Sequence, residues 1–225
     1  MKAMILAAGL GTRMRPLTDH TPKPLLRAGG KTLIEYHIDA LVRAGIRDLV
    51  INTAWLGEQI EAALGDGREH GVHIQWSREG QPLETAGGIR RALPLLGEAP
   101  FVVVNGDIWT DFDFADLPQA PSAEAHLLLV ENPPQHPHGD FWLADNQQVH
   151  DEAPDVSARR LTFSGIGVYH PALFARCPDE ARLAPLLRDA MAQGAVTGSV
   201  HRGRWYDIGT PARLAALDQQ LKETS

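Results

Sequence analysis

Short apolar runs alternate with segments in which apolar residues recur every three or four positions through the first two-thirds of the chain. The runs are rich in Val, Ile, Leu and Phe, which is typical of buried strands. They predict strands at residues 2–8, 48–53, 72–77, 101–105 and 125–130. The intervening segments at residues 32–44, 56–64 and 86–96 have the period of a helix with one apolar face. Repeated strand, helix, strand order predicts an α/β fold with a parallel sheet covered by helices on both faces.

After residue 131 this rhythm changes. A loop rich in Pro and His precedes two short predicted strands on either side of Asp145 and Asn146. Further strands are predicted at 161–169 and 196–202, and helices at 184–193 and 210–222, where Thr210 followed by Pro211 has the form of an N-cap. We expect one domain over residues 1–225, with a small β-rich lobe beside the main sheet.

The composition narrows the classes of partner. The chain has 225 residues, 44% of them hydrophobic and 22% charged, which is ordinary for a globular protein. Its formal net charge of −7 disfavours nucleic acid or an anionic membrane as the main partner. The single cysteine, Cys177, cannot form an intramolecular disulfide, and the N-terminus lacks a signal-peptide pattern. We therefore expect a cytoplasmic protein, as a monomer or weak homodimer.

The stretch LAAGLGTRMRPLTDHTPKP at residues 6–24 concentrates cations among glycines and prolines directly after the first predicted strand. Gly9 and Gly11 allow backbone N–H groups to approach a polyphosphate, and Thr12 offers a hydroxyl. Arg13 offers a planar set of donors for phosphate oxygens, and Lys23 sits on a loop stiffened by a proline on each side. The pattern predicts a phosphate-binding loop.

Two other phosphate motifs are excluded. A dinucleotide-binding motif requires a third glycine where Met14 stands and an acidic residue at a strand end, whereas Glu35 falls inside a predicted helix. The GGKT segment at 29–32 resembles the end of a P-loop, but Leu25 occupies the position of its first glycine.

The stretch GLGTRMRPLTDHTPKPLL resembles the signature of the sugar-1-phosphate nucleotidyltransferases. Further matches extend over most of the chain, at QPLETAGGI (81–89), VNGDI (104–108), GVY (167–169) and WYDIGTP (205–211). The resemblance implies a Rossmann-like nucleotidyltransferase fold with a mixed, mostly parallel central sheet and a sugar-binding lobe. Residues 1–130 would then bind mainly nucleotide, and residues 131–225 mainly the sugar.

The resemblance also implies the chemistry. A sugar 1-phosphate would attack the α-phosphorus of a nucleoside triphosphate and release pyrophosphate, with Mg²⁺ as cofactor on Asp107 and Asp207. Arg13 and Lys23 would be the catalytic cations. The substrates that the resemblance favours are UTP and N-acetylmuramate α-1-phosphate, in the recycling of cell-wall peptidoglycan.

Residues for the two substrates follow from the matched segments. For the nucleotide they are Ala7, Gly9, Gly11, Thr12, Arg13, Lys23, Gln81, Glu84 and Gly87, and for the sugar Asn105, Gly139, Asp140 and Glu152. The chain departs from the family's common form at Glu84, where glycine is usual. It also has Gly165 in place of bulkier residues, which suggests room for the lactyl ether of muramic acid.

Two alternatives stay open at this point. One is another substrate pair, such as mannose 1-phosphate with GTP, or glucose 1-phosphate with dTTP or UTP. The other is a regulatory module that binds nucleotides without turnover. The cations and the two aspartates favour an enzyme.

Overall fold

The computed structural model describes residues 1–81 and 83–223. The strands are β1 (Ala3–Leu6), β2 (Arg27–Ala28), β3 (Lys31–Thr32), β4 (Asp48–Thr53), β5 (His73–Arg78), β6 (Phe101–Asn105), β7 (Ile108–Thr110), β8 (Ala125–Val130), β9 (Phe141–Leu143), β10 (Val149–His150), β11 (Arg159–Tyr169), β12 (Val196–His201) and β13 (Trp205–Asp207). The α-helices are α1 (Leu33–Arg43), α2 (Gly57–Leu64), α3 (Glu84–Leu96), α4 (Leu183–Ala192) and α5 (Pro211–Glu223).

Two compact units make up the described chain. The first, called here the glycine-loop unit, comprises residues 2–81, 104–116 and 204–223. The second unit comprises residues 83–103 and 117–203. The roles predicted for residues 1–130 and 131–225 stay predictions.

The sheet of the glycine-loop unit is built on parallel strands. β4 lies between β1 and β5 and pairs parallel with both, with Leu6 opposite Asn52 and Asn52 opposite Ser77. β1 and β4 are almost entirely buried, as in a sheet covered on both faces, whereas β5 alternates buried and exposed residues along these parallel strands. Their carboxyl ends therefore meet at one edge, where α/β proteins place their ligands.

Helix α1 begins where the sequence pattern predicts it. The Thr32 side chain accepts a hydrogen bond from the backbone N–H of Glu35, and the Glu35 carboxylate accepts one from the backbone N–H of Thr32. This reciprocal capping box satisfies N–H groups that the first turn leaves without helical partners. Leu33, Ile34 and Ile38 are fully buried, so the apolar stripe faces the core.

An aromatic core supports β7. Trp109 packs edge-on against Tyr36, with ring centroids 6.1 Å apart, and tilted against Tyr206, at 5.8 Å. The guanidinium of Arg204 lies 5.2 Å from the Trp109 ring centroid. The same cluster contains Met14, Leu26, Ala28, Leu33, Ile208, Leu214 and Leu217. The short strand β7 is therefore held in place by the packing of Trp109 among these side chains.

The sheet of the second unit is mixed. β8 pairs antiparallel with β11 and parallel with β12, and β9 pairs antiparallel with β10 and β11. The register of β11 on β8 shifts between Phe163 and Ile166, where Gly165 has a φ of +83°. A bulge of this kind requires a left-handed residue, which favours glycine. Gly165 thus has a backbone reason to be small, separate from any sugar.

The structure confirms the predicted α/β class and mixed sheet. The expected strands at 48–53, 101–105 and 125–130 have the predicted bounds, and the other long elements begin and end close to them. The N-cap at Thr210 is also confirmed, since its hydroxyl accepts from the N–H of Arg213 at 3.4 Å. The sequence did not predict β2, β3, β7 and β13, whose two or three residues are too few to show a period. The equally short β9 and β10 were predicted from the turn at Asp145 and Asn146.

Within residues 1–81 and 83–223, none of the helices combines the length and apolar character needed to cross a membrane.

The capping box gives a test of helix α1. Replacing Thr32 by Ala removes the acceptor for the Glu35 N–H, so we expect a loss of about 1 kcal/mol in unfolding free energy. Thr32→Ser keeps the hydroxyl and is the matched control, expected to retain most of that stability. Urea unfolding of the three proteins makes the comparison, and equal midpoints for T32A and wild type would contradict it.

Candidate active site

The phosphate-binding loop predicted from the sequence begins where β1 ends. Gly11 has a φ of +63° and precedes a short 3₁₀ helix over Thr12–Met14. A Cβ on Gly11 would lie 2.9 Å from Cγ2 of Thr18, so glycine is required here by conformation and by space. Thr12 and Arg13 are exposed, as is Gly9. The loop thus presents the residues expected to contact phosphate to solvent.

The other end of the loop is anchored. The Thr18 hydroxyl donates to the Gly11 carbonyl at 2.7 Å, and the Trp55 indole donates to the Thr18 carbonyl at 3.4 Å. Thr18 is only 2% exposed. These contacts close the loop on itself and fix the turn that carries Arg13.

The end of β6 lies close against β1. The Gly106 N–H donates to the Leu6 carbonyl at 2.9 Å, and a Cβ on Gly106 would be 2.5 Å from that oxygen. Only glycine permits this approach. Asp107, the next residue, is thereby held beside the start of the glycine loop.

The two aspartates predicted to bind metal come together through β7 and β13. These strands pair antiparallel, with Asp207 opposite Ile108, and the Ile208 N–H donates to the Asp107 carbonyl at 2.9 Å. Asp107 immediately precedes β7 and Asp207 ends β13, so the backbone places the two residues next to each other. Neither short strand was predicted.

Each aspartate has a cationic partner. Lys23 Nζ donates to Asp107 Oδ2 at 2.8 Å, and Arg213 Nη1 donates to Asp207 Oδ2 at 2.6 Å. The Lys23 side chain is 10% exposed, whereas those of Asp107 and Asp207 are 38% and 29% exposed. A Cβ on Gly209 would lie 3.0 Å from Arg213 Nη1, so the glycine leaves room for this contact. Each carboxylate is thus paired with its own cation and is still partly exposed to solvent.

The donor set fits Mg²⁺. Mg²⁺ is commonly held by one or two carboxylates while substrate phosphates and water complete its shell. Asp107 and Asp207 supply two such hard oxygen ligands, and among the described residues no cluster of three or more His, Cys, Asp or Glu residues forms a self-contained metal site. A metal shared with a phosphate substrate suits this pair better than a structural ion.

His37 lies beneath this site on α1. It is 2% exposed, its ring bonds to the backbone of Ile108, and its Nε2 has no hydrogen-bond partner among the residues that the structure describes. Burial lowers the pKa of His37 to about 4, although the charge of Asp107 opposes this shift. His37 is therefore neutral at pH 7 and stabilises the β7 backbone as an uncharged donor.

The predicted base-contact residues fall in both units. Ala7, in the glycine-loop unit, donates its N–H to Asn52 Oδ1 at 2.8 Å, and Gln81 is exposed just beyond β5. In the second unit, Glu84 opens α3 with a φ of +60°, a conformation in which glycine is the relaxed residue.

Gly87 has a packing role in the second unit. A Cβ at this position would be 2.3 Å from the carbonyl oxygen of Asp179. The N–H groups of Ala86 and Gly87 both donate to the Ala181 carbonyl. Its predicted contact with the base stays a prediction.

The predicted sugar-contact residues are likewise distributed. Asn105 ends β6 in the glycine-loop unit, and the other three belong to the second unit. Gly139 has a φ of +62°, and a Cβ there would clash with Asn132 Oδ1 at 2.5 Å. Asp140 accepts from the Phe163 N–H at 2.8 Å through Oδ2, while Glu152 is exposed. Asp140 thus already fixes the backbone of β11.

Five residues of the glycine-loop unit were missed by sequence reasoning. They are His37, Asn52, Glu79, Gly106 and Arg213. Their roles depend on tertiary contacts. Gly106 lies inside a matched segment and Glu79 and Arg213 lie beside one, whereas His37 and Asn52 carried no such signal.

This fold and site define a nucleotidyltransferase. The model of the nucleotidyl transferase family matches residues 2–224, so the chain belongs to that family.

Among curated relatives, the chain is similar to N-acetylmuramate alpha-1-phosphate uridylyltransferases. It is 54% identical to that of Neisseria meningitidis serogroup B, over 95% of both chains. It is 36% identical to that of Caulobacter vibrioides, over 98% of this chain and 97% of the relative. It is also 30% identical to the mannose-1-phosphate guanylyltransferase catalytic subunit beta of Danio rerio, over 94% of this chain and 62% of that protein.

Solved structures show the same fold at low identity. A protein from Bacillus anthracis assigned as a glucose-1-phosphate thymidylyltransferase superposes with a TM-score of 0.83 at 22% identity, over 99% of this chain and 96% of that one. HddC from Yersinia pseudotuberculosis gives a TM-score of 0.79 at 20% identity, over 98% and 99%.

The buried His37 predicts a pH dependence of stability. The pKa of His37 is about 4 in the folded protein, against an ordinary value of 6.5. As pH falls below 6.5, the unfolded state therefore takes up a proton before the folded state does. Stability from this residue is present at pH 7 and declines towards pH 4, with about 2 kcal/mol lost between pH 7 and pH 5.

The matched variant for this prediction is His37→Asn, which keeps an N–H donor near the Nδ1 position but does not titrate. Unfolding in urea at pH 7 and pH 5, without metal, should show a smaller pH-dependent loss for H37N than for the wild type. An identical loss in both proteins would assign the effect to other groups.

Proposed function

We propose that this protein transfers a uridylyl group from UTP to N-acetylmuramate α-1-phosphate, giving the UDP-sugar and pyrophosphate. The observation that carries this proposal is the 54% identity, over almost the whole chain, with a relative named for this reaction. The glycine loop, its cations and the adjacent aspartates supply groups that such a reaction needs. The product belongs to peptidoglycan recycling, and we place the reaction in the cytoplasm, where UTP is made, with a monomer or weak homodimer as the working unit.

The chemistry is a single in-line displacement. An oxygen of the sugar phosphate forms a bond to the α-phosphorus of UTP, while the bond from that phosphorus to the bridging oxygen of pyrophosphate breaks. The nucleophile is already an anion, so no general base is required. Catalysis then depends on alignment and on cations placed where charge accumulates.

Arg13 and Lys23 supply those cations. The exposed guanidinium of Arg13 suits the β- and γ-phosphates, which carry the charge of the leaving group. Lys23 is nearly buried and its ammonium already contacts a carboxylate oxygen, so it is prepared to bind an α-phosphate oxygen beside Asp107. Backbone N–H groups around Gly9, Gly11 and Thr12 add further donors.

Asp107 and Asp207 would hold Mg²⁺. Bound there, the ion supplies charge neutralisation for the triphosphate and the sugar phosphate. Lys23 and Arg213 form ion pairs with these carboxylates, one cation to each aspartate.

The remaining contacts select the substrates. Ala7, Gln81, Glu84 and Gly87 are proposed to contact the base. For the sugar we propose Asn105, Gly139, Asp140 and Glu152.

Substrate choice is tested first. Purified protein with Mg²⁺ should release pyrophosphate fastest with UTP and N-acetylmuramate α-1-phosphate. GTP with mannose 1-phosphate is the essential comparison, because guanylyltransferases are also among the relatives, and dTTP or UTP with glucose 1-phosphate completes the set. Faster turnover with another pair would replace the substrates and keep the mechanism, whereas no turnover with any pair would favour a binding module.

The aspartate pair is tested by Asp107→Asn and Asp207→Asn. Each change keeps the shape but removes a charged ligand, so we expect turnover to fall at least about 100-fold and Mn²⁺ binding, followed by electron paramagnetic resonance, to weaken. Asp113→Asn is the control, because Asp113 is an exposed aspartate of the same unit whose side chain accepts a hydrogen bond from the nearby N–H of Ala115. Retained turnover and Mn²⁺ binding in both site variants would contradict the metal assignment.

A further inference from the structure

A buried chain of hydrogen bonds links the start of the glycine loop to the end of β5. The Asn52 side chain accepts from the Ala7 N–H at 2.8 Å through Oδ1 and donates to Glu79 Oε1 at 2.8 Å through Nδ2. Asn52 and Glu79 are 3% and 5% exposed. All three residues belong to the glycine-loop unit.

The position of Asn52 explains why a side chain is used here. On β4, Asn52 is the partner of Leu6, the last residue of β1. Ala7 lies one residue beyond the strand, where the ladder ends, and its buried N–H needs another acceptor. The Asn52 amide supplies it, and because an N–H can only donate to the oxygen, the amide orientation is fixed and Nδ2 must face Glu79.

The other end of the chain of bonds is equally fixed. The Glu79 N–H donates to the Thr53 carbonyl at 2.8 Å, so backbone and side chain both tie Glu79 to β4. Gln81 follows two residues later and is exposed. One amide thus sets the relative placement of two segments proposed to contact the nucleotide base.

We propose that Asn52 and Glu79 are positioning residues for nucleotide binding, acting together as a relay, Ala7 N–H to Asn52 to Glu79. The relay holds the start of the glycine loop at a set distance from the segment that carries Gln81. This inference rests on the proposed function, because it assigns the nucleotide to these two segments. It predicts that the polarity of the bond between Asn52 and Glu79 matters for UTP, and not for the sugar phosphate.

The relay allows a polarity swap. In Asn52→Asp the group facing Glu79 becomes an acceptor, so two carboxylates would meet in a buried site and the bond is lost. In the double variant Asn52→Asp with Glu79→Gln, the glutamine amide can donate to the new aspartate, which restores the bond in reverse. Glu79→Gln alone keeps an acceptor for the Asn52 amide and is the matched control.

The expected result is selective. For N52D, KM and Kd for UTP should rise about tenfold with Mg²⁺ present, while KM for N-acetylmuramate α-1-phosphate stays within about threefold of wild type. E79Q and the double variant should both bind UTP within about threefold of wild type. A general folding defect would not spare the sugar phosphate or be repaired by the second change.

The inference is overturned if N52D binds UTP like wild type, or if the double variant is no better than N52D. Should N52D not fold, Glu79→Leu replaces it, since it removes the acceptor and should weaken UTP binding about tenfold relative to E79Q; equal affinities would also overturn the inference.

A separate readout distinguishes this inference from the proposed function. If the wild type neither binds nor turns over UTP, the proposed function fails, and the assignment of the relay to UTP fails with it. The hydrogen-bond geometry is then judged by hydrogen exchange of the Ala7 amide, expected to be about tenfold faster in Asn52→Leu than in wild type. Unchanged exchange would overturn the relay in either case.

Discussion

The pairing of β7 with β13 is the constraint on which the site depends. It joins segments far apart in the sequence and sets Asp107 beside Asp207 through backbone hydrogen bonds. Two neighbouring carboxylates repel each other, so this arrangement is stable without ligand only if cations accompany it. Lys23 comes from the glycine loop and Arg213 from the first turn of α5, which means that three separate segments must fold together before the site is balanced.

Small residues determine how closely these segments approach. Gly106 touches the carbonyl of Leu6, Gly11 turns beside Thr18, and Gly209 leaves room for Arg213. A methyl group at Gly106 would meet a backbone oxygen, which cannot swing away as a flexible side chain can. The packing of Trp109, the central residue of β7, in the buried core also resists movement of the strand. The glycines of the matched segments therefore shape the site.

The sequence predicted the long elements of the fold well. Strands such as β4 and β8 have several apolar residues in a row, and α1 combines a helical period with a capping box, so local signals and tertiary packing agree. The signature around Arg13 and Lys23 was visible for the same reason, since its residues are contiguous.

The rest depended on contacts between distant residues. Asp107 and Asp207 could be proposed by resemblance, but their meeting depends on two three-residue strands with no periodic signal. Arg213, Asn52 and His37 look like ordinary helix or strand residues until their partners are known. Gly165 carries two separate signals: its small size suggested space for a sugar, which stays a prediction, and the structure places it at a shift in strand register.

The charges of the site explain how an acidic protein can bind a triphosphate. The overall charge of −7 repels anions, but salt at physiological concentration screens this repulsion beyond about 8 Å. The charges close to the site therefore decide whether an anion binds. At the site, the two aspartates are paired with Lys23 and Arg213. Arg13 forms no ion pair among the described residues, so it adds a net positive charge to the exposed loop. A divalent ion held by the aspartates would let the ammonium of Lys23 exchange its carboxylate oxygen for a phosphate oxygen without leaving a buried charge unpaired, which would keep the cost of binding low.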